Sequence, residues 1–172
     1  MNHGIALIPE DRKRQGFNDN STNSQNITLA SLKKFTKLGV VNHKEKTRSA
    51  FATASSVNLK PNDPEFITKN LSGGNQQKVV LGKWLSASGE ILIFDEPTKG
   101  IDVGAKAEIY GIMEDLVEQG KSIIMVSSEL PEIMGLCDRL LVMKDGEIVA
   151  EVDRNEFSEH QILTYALEGN KE

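Results

Sequence analysis

Along this chain the apolar residues fall into short runs of strand length, separated by stretches in which they recur every three or four positions. Residues 4–8 form an apolar run closed by Pro9, which predicts a short strand; the charged run 10–14 and an Asn- and Ser-rich loop at 18–26 follow. The spacing of Ile27, Leu29, Leu32 and Phe35, then a second helix over 44–57, predicts a helical block that Pro61 and Pro64 break. After Leu71-Ser72-Gly73-Gly74 a helix is expected over about 75–85. Ile91-Leu92-Ile93-Phe94 is a continuous apolar run closed by Asp95-Glu96-Pro97, the pattern of a strand buried on both faces. A helix over 104–119 carries Ile109, Ile112, Met113, Leu116 and Val117 on one face and stops at Gly120. Residues 122–126 predict another buried strand, 131–136 a short helix and 139–143 a strand, and Lys144-Asp145-Gly146-Glu147 turns the chain into a last strand over 148–152.

No internal repeat is present. The alternation of strands and helices predicts an α/β fold, a mostly parallel sheet with a helical subdomain and a C-terminal antiparallel hairpin. Residues 1–172 are read as one folding unit, with the helical subdomain at about 26–85 and the remainder of the sheet at about 86–172.

Composition narrows the function classes. The 172 residues suffice for one domain with a real core, and the hydrophobic 38% and charged 26% are those of an ordinary globular chain. The longest apolar runs fall far below the roughly 20 residues that span a bilayer, so membrane association is expected only through a partner. A net charge of -5 removes the electrostatic footprint of a general nucleic-acid binder. Cys137 is the single cysteine, which excludes an internal disulfide, and no secretory signal precedes residue 20. A reducing cytosol is therefore expected. His3, His43 and His160 have no metal-ligand spacing among themselves or with Cys137.

The strongest chemical signal is Leu71-Ser72-Gly73-Gly74-Asn75-Gln76-Gln77-Lys78 placed shortly before Ile91 to Pro97. Ser72, Gly73 and Gly74 fall at a helix N-terminus, where free backbone N–H groups and the positive dipole end attract an anion, and glycine lets a phosphate approach the backbone. Asp95 ends a strand where a carboxylate can hold Mg²⁺ directly or through water, and Glu96 beside it can polarise an attacking water. Taken singly, Ser-Gly-Gly reads as a capped turn and Asp-Glu-Pro as a solvated strand end. Their order and spacing favour the chemical reading.

These two segments resemble the ATP-binding-cassette superfamily, with residues 71–78 as its signature, 91–96 as its Walker B strand and Gly100-Ile101-Asp102 as its D-loop. Ile8-Pro9-Glu10-Asp11-Arg12-Lys13, residues 100–106 and Val126-Ser127-Ser128-Glu129-Leu130-Pro131-Glu132 are in addition similar to the second cassette of tandem bacterial sugar importers of the ribose, galactose and xylose group. The resemblance implies a P-loop NTPase-like sheet, ATP and Mg²⁺ as cofactors, and an ATPase that drives carbohydrate import from the cytoplasmic face of the inner membrane. It implies as partners the first cassette of the same protein, the transmembrane permease subunits and, indirectly, a periplasmic sugar-binding protein, with no nucleic acid.

In a head-to-tail pair of cassettes the resemblance gives Ser72, Gly73 and Gly74 roles in trans, on nucleotide held by the other cassette, and makes Gln76 and the D-loop residue Asp102 further nucleotide-binding candidates. Gln76 and Gln77 then either add polar contacts at that seam or are solvated helix residues. Residues 9–13 are either part of a coupling loop, with Arg12 and Lys13 pairing to acidic groups of a neighbour, or a charged surface turn. Trp84 and Phe94 are expected in the core, and Cys137 packs as a small hydrophobe.

Two departures from the pattern bear on mechanism. No Gly-x-x-x-x-Gly-Lys-Ser/Thr occurs; Gly120-Lys121-Ser122 imitates its tail, but position 115 is Asp115 and the segment runs from helix to strand. The chain is accordingly expected to be part of a longer protein, with the Walker A loop and the first cassette upstream. At the switch position, where such cassettes place a histidine against the γ-phosphate, stands Ser128, which lacks the cationic and proton-shuttling group. The site containing Asp95 and Glu96 is thus expected to hydrolyse weakly or not at all. A chromosome-maintenance ATPase head is the nearest rival, and the absence of heptads before Leu71 argues against it. A module that uses nucleotide only to dimerise is the second, and Ser128 favours it.

Overall fold

The computed structural model describes residues 4–169; His3 lies outside them. The chain divides into two compact units, Met1–Val126 and Ser127–Glu172. The first runs β1 (Ile5–Ile8), a π-helical turn (Arg12–Gly16), α1 (Asn23–Thr28), a 3-10 helix (Leu29–Phe35), the short strands β2 (Thr36–Lys37) and β3 (Val40–Val41), α2 (His43–Ser56), α3 (Gly73–Ser86), β4 (Ile91–Asp95), α4 (Val103–Glu118) and β5 (Ser122–Val126).

Strands β1, β4 and β5 form a parallel sheet in that spatial order, with Ile5 opposite Ile91 and Ile93 opposite Ile124. The period of two puts Ala6, Ile8, Leu92 and Phe94 on one face, where they are buried with Val79 and Val80 of α3 and with Ile109, Ile112, Met113 and Leu116 of α4. On the opposite face Ile5, Leu7, Ile124 and Val126 are 48%, 46%, 53% and 51% exposed. This corrects the expected two-sided burial of β4 and β5. Their composition is that of strands covered twice, but the described residues of this unit lay helices over one face only.

The helical part differs from its expected outline in two places. Helix α1 starts inside the stretch expected to be loop, because Thr22 and Gln25 make a capping box: Thr22 Oγ1 accepts from Gln25 N at 3.3 Å and Gln25 Oε1 from Thr22 N at 2.9 Å. The asparagines there are buried in a polar network. Asn26 Nδ2 donates to Thr68 Oγ1 (2.9 Å), Thr68 Oγ1 to Asn23 Oδ1 (3.0 Å) and Asn23 Nδ2 to Asp63 O (3.0 Å), while Asn26 Oδ1 accepts from Asn18 N (2.8 Å). Satisfied on this scale, buried amides fix the segment before α3 instead of penalising it. The second difference is the β2–β3 hairpin, whose two-residue turn sets both Leu38 (φ 51°) and Gly39 (φ 81°) in the left-handed region, a demand leucine gives no sign of meeting.

The unit Ser127–Glu172 holds α5 (Leu130–Leu136), β6 (Arg139–Lys144), β7 (Glu147–Asp153) and α6 (Glu159–Glu168). Its hairpin turns at Asp145 (φ 51°) and Gly146 (φ 86°), as the Asp-Gly pair predicts. Val142, Val152 and Ile162 are its buried apolar residues, and Lys144 Nζ donates to Leu167 O at 2.7 Å. Helix α6 had no counterpart in the expected elements. No helix among the described residues is long and apolar enough to cross a membrane.

Helices α3 and α4 are joined by a charge. Lys78 is 1% exposed, yet its ammonium donates to Asn58 O at 2.8 Å and pairs with Glu108 of α4. The hydrogen bond from Lys78 to Glu108, and then the Coulombic attraction of Lys78, hold the Glu108 carboxyl below its ordinary pKa, with Lys60 acting in the same sense and burial and Asp102 opposing. A native pKa lowered from an unfolded value near 4.3 gives stability that is fully present above that value and lost as pH falls through the native one. The urea midpoint should therefore fall as pH is taken below about 5, and Glu108→Gln should lower it at neutral pH and narrow its gap to the wild type in acid. A gap that stays constant with pH would remove Glu108 from the account.

Candidate functional site

Helix α3 begins one residue after Ser72, two residues earlier than the spacing suggests, and Ser72 is its N-cap, exposed, with Oγ accepting from Asn75 Nδ2 at 2.9 Å and more weakly from Asn75 N at 3.5 Å. Gly73 and Gly74 therefore form the first turn of a 14-residue helix, where N–H groups have no intrahelical acceptor. Packing also constrains both glycines. A Cβ on Gly74 would lie 2.5 Å from the Ala105 Cβ, and one on Gly73 would lie 2.8 Å from Arg12 Nη2 and 3.2 Å from Gly100 O. Gln76 and Gln77 are buried, which rules out the solvated alternative. Gln76 Nε2 donates to Lys69 O and Leu71 O, at 3.1 Å each, and so ties down the turn that leads into Ser72.

At the end of β4 the chain bends sharply. Glu96 takes φ 46°, a left-handed conformation that costs a non-glycine residue about 1–2 kcal/mol. Two backbone bonds hold it: Glu96 N donates to Val126 O at 2.8 Å and Glu96 O accepts from Lys99 N at 3.2 Å. The bend places Asp95 as the last residue of the strand and Glu96 as the first of the turn, both half-buried. Their charge is felt nearby. The Lys99 ammonium is held above its ordinary pKa, first by its 2.5 Å hydrogen bond to Glu10 and, more weakly, by Glu96 and Asp95.

Of the two carboxylates at the end of β4, Asp95 is the one that could hold a divalent cation. Among the described residues no three His, Cys, Asp or Glu side chains are grouped to bind a metal by themselves. A cation held at Asp95 could draw its remaining ligands from water and phosphate oxygens. Asp102, the remaining candidate in this unit, N-caps α4, its Oδ1 accepting from Ala105 N at 3.0 Å. Gly120 (φ 85°) ends α4 and Lys121 pairs with Glu90 at 2.8 Å, so Gly120-Lys121-Ser122 is a helix stop and strand start, as its direction predicts. Ser128 belongs to the second unit, exposed, beside Ser127, whose hydroxyl donates to Glu132 and accepts from Glu129 N at 3.1 Å.

The sequence profile of the ABC transporter family matches residues 1–99. This chain belongs to the ABC transporter family. Among curated ABC relatives it is 47% identical over 165 residues to the arabinose import ATP-binding protein AraG of Rhizobium meliloti (strain 1021), covering 95% of this chain and 32% of the relative. It is 47% identical over 169 residues to the ribose import ATP-binding protein RbsA of Clostridium perfringens (strain SM101 / Type A), covering 97% and 34%, and 49% identical over 169 residues to the xylose import ATP-binding protein XylG of Moorella thermoacetica (strain ATCC 39073 / JCM 9320), covering 98% and 33%. The chain therefore spans about a third of the length of the relatives it matches. In fold it is similar to a dimeric post-hydrolysis state of the ATP-binding cassette MJ0796 bound to ADP and Pi, with a TM-score of 0.72 at 23% identity over 89% of this chain and 64% of that one. The ADP conformation of the cassette MJ1267 gives a TM-score of 0.72 at 19% identity over 97% and 66%.

Two residues of this ABC chain carry more of the site than the sequence reading allotted them. Lys78 anchors α3, and Arg12, read either as pairing to acidic groups of a neighbour or as part of a charged surface turn, donates to the backbone oxygens of Lys99 (2.9 Å) and Gly100 (3.2 Å). Only the odd placement of a lysine in the apolar Val79-Val80-Leu81 context hinted at the first; nothing in the sequence hinted at the second.

The close approach at Gly74 gives a direct test. Gly74→Ala overfills the α3–α4 contact and should cost about 1–3 kcal/mol, a Tm decrease of roughly 3–9 °C for a chain of this size. Gly111→Ala, in the middle of α4 where a Cβ meets nothing within 4 Å, should instead stabilise by about 0.5–1 kcal/mol. Thermal melting of both variants decides it, and equal Tm values would mean that the two helices do not pack as described.

Proposed function

We propose that this chain is part of the ATP-binding subunit of an ABC sugar importer, the signature-bearing portion of its second cassette, and that it completes the ATP site of the partner cassette. The observation that carries this reading is the exposed Ser72 N-cap with Gly73 and Gly74 behind it, at the start of a helix whose seating is fixed by the neighbouring Lys99–Asp102 turn. In the proposed roles the backbone N–H groups of Gly73 and Gly74 and the Ser72 hydroxyl meet the terminal phosphate of ATP, and Asp102 lies at the same seam. Donors fixed before the reaction stabilise charge that develops on the transferred phosphoryl group. In the second site Asp95 would hold Mg²⁺, whose chemistry is to neutralise phosphate charge, and Glu96 would orient water.

The helical subdomain at about 26–85 and the sheet-bearing remainder are the proposed division of labour. The half-exposed apolar face of β1, β4 and β5 supports a further cassette segment packing there, carrying the Walker A loop. Permease subunits, the first cassette and, indirectly, a periplasmic sugar-binding protein are the proposed partners. The proposed location is the cytoplasmic face of the inner membrane, peripheral. Ser128 in place of the switch histidine favours a second, weakly hydrolytic site rather than two equal ones.

ATP titrated against this chain alone should bind weakly and not turn over. In the complete transporter, Gly73→Arg should lower ATPase activity by about a hundredfold or more, the usual cost of losing a preorganised donor near 3 kcal/mol. Ser72→Ala, which leaves the packing at Gly73 intact, should lower it in the same direction. Glu96→Gln should cost far less than the same change in the first cassette. If Glu96→Gln abolished turnover while both signature variants kept it, the trans assignment would be wrong.

A further inference from the structure

The π-helical turn Arg12–Gly16 is fastened to α3 at one end and to the D-loop at the other. At Gly16 the backbone lies against α3 so closely that a Cβ would come within 2.6 Å of Val80 Cγ2, and Gly16 O accepts from Lys83 Nζ at 2.5 Å. At Arg12 the guanidinium reaches across to the Lys99 and Gly100 carbonyls, Nη1 taking one and Nη2 the other. The Glu10–Lys99 ion pair closes the same junction. Gly73 fits beneath it, with the position of its absent Cβ 2.8 Å from Arg12 Nη2, 3.2 Å from Gly100 O and 3.4 Å from Ile101 Cγ2.

Helix electrostatics do not account for a cation here, because the N-terminus of α3 is the positive end of its dipole. Burial moreover lowers the Arg12 pKa, and Nε is buried with no partner among the described residues. What the guanidinium does satisfy is geometry. Its planar fork spans the carbonyls of two consecutive residues, which a lysine ammonium on a flexible stem cannot do with comparable order.

We propose that Arg12 is a positioning residue that locks the Lys99–Asp102 turn onto the start of α3, so that Ser72–Gly74 and Gly100–Asp102 are presented to the partner cassette as one rigid surface. The proposal rests on the trans roles assigned above to Ser72, Gly73, Gly74 and Asp102. Gly100, at φ 68°, lets the turn adopt the shape in which both carbonyls face the guanidinium. Asp102 then caps α4 directly after it.

The test compares Arg12→Lys, Arg12→Ala and Glu10→Gln by amide hydrogen exchange and melting of this chain, and by steady-state ATPase kinetics of the complete transporter. The amides to follow are Ile101, Ala105 and Lys106, bonded to Thr98 O, Asp102 Oδ1 and Asp102 O. Both Arg12 variants should speed their exchange by on the order of tenfold, as expected when a segment loses its tertiary bonds, while the amides of 79–83 and the Tm stay unchanged. Glu10→Gln should have a smaller effect. In the transporter kcat should fall about tenfold with KM for ATP nearly constant, the pattern of a defect confined to the transition state. Unchanged exchange at the three amides, full rescue by lysine, or acceleration everywhere together with a lower Tm would each overturn the proposal. Exchange needs no nucleotide, so it judges Arg12 independently; a transporter without ATPase activity would count against the proposed function alone.

Discussion

Helix α3 can lie against α4 at its observed distance because position 74 carries no side chain. Gly74 and Lys78 are one turn apart on α3, and Ala105 and Glu108 three residues apart on α4, so each pair occupies a single stripe of its helix. Along that stripe Gly74 admits Ala105 and Lys78 pairs with Glu108. A buried ammonium is costly to leave uncompensated, and its second acceptor, Asn58 O, ties in the end of α2 as well. The helix starts follow from this contact. Ser72 caps α3 two residues before Gly74, and Asp102 caps α4 three residues before Ala105. Fixing the stripe therefore fixes where both caps stand, and with them the turn between β4 and α4.

Much of this is legible in the sequence. The apolar runs gave β1, β4, β5 and the hairpin strands, and the period of α4 placed Ile109, Ile112, Met113 and Leu116 on the buried face, whereas Val117, expected with them, is exposed. The Asp-Gly turn and the helix-to-strand direction of Gly120-Lys121-Ser122 were also read correctly, because both rest on local backbone chemistry. The unread features are tertiary. Asn23, Asn26 and Gln76 look solvated in a sequence because amide side chains usually are; Asn23 and Asn26 are buried here because their partners, Asp63 and Thr68, arrive from some forty residues on, and Gln76 because it folds back on the Lys69–Leu71 turn before its own helix. The capping box Thr22-x-x-Gln25 was the one local signal that placed a helix start among the asparagines.

The sheet illustrates a different limit. Runs such as Ile91 to Phe94 state how much apolar surface a strand carries, not which layers cover it. The reading of β4 as buried on both faces follows correctly from composition, and the observed half-exposure follows correctly from having helices on one face. An apolar face of this kind is unusual for a free surface, since large contiguous apolar patches generally mark contact with another segment or partner.

Gly73 is where the constraints meet. The functional argument asks for glycine so that a phosphate can approach the first turn of α3, and the packing argument asks for glycine so that Arg12 and Gly100 can close over the same turn. Both demands fall on one missing Cβ, so the presence of glycine alone does not separate them. Ser72 does separate them. Its side chain is exposed and its bonds are to Asn75 of the same helix, so it takes no part in the Arg12 junction. Effects at Ser72 thus report on what reaches the helix end from outside, whereas effects at Arg12 report on how firmly that end is held. Gly73 reads the sum of the two.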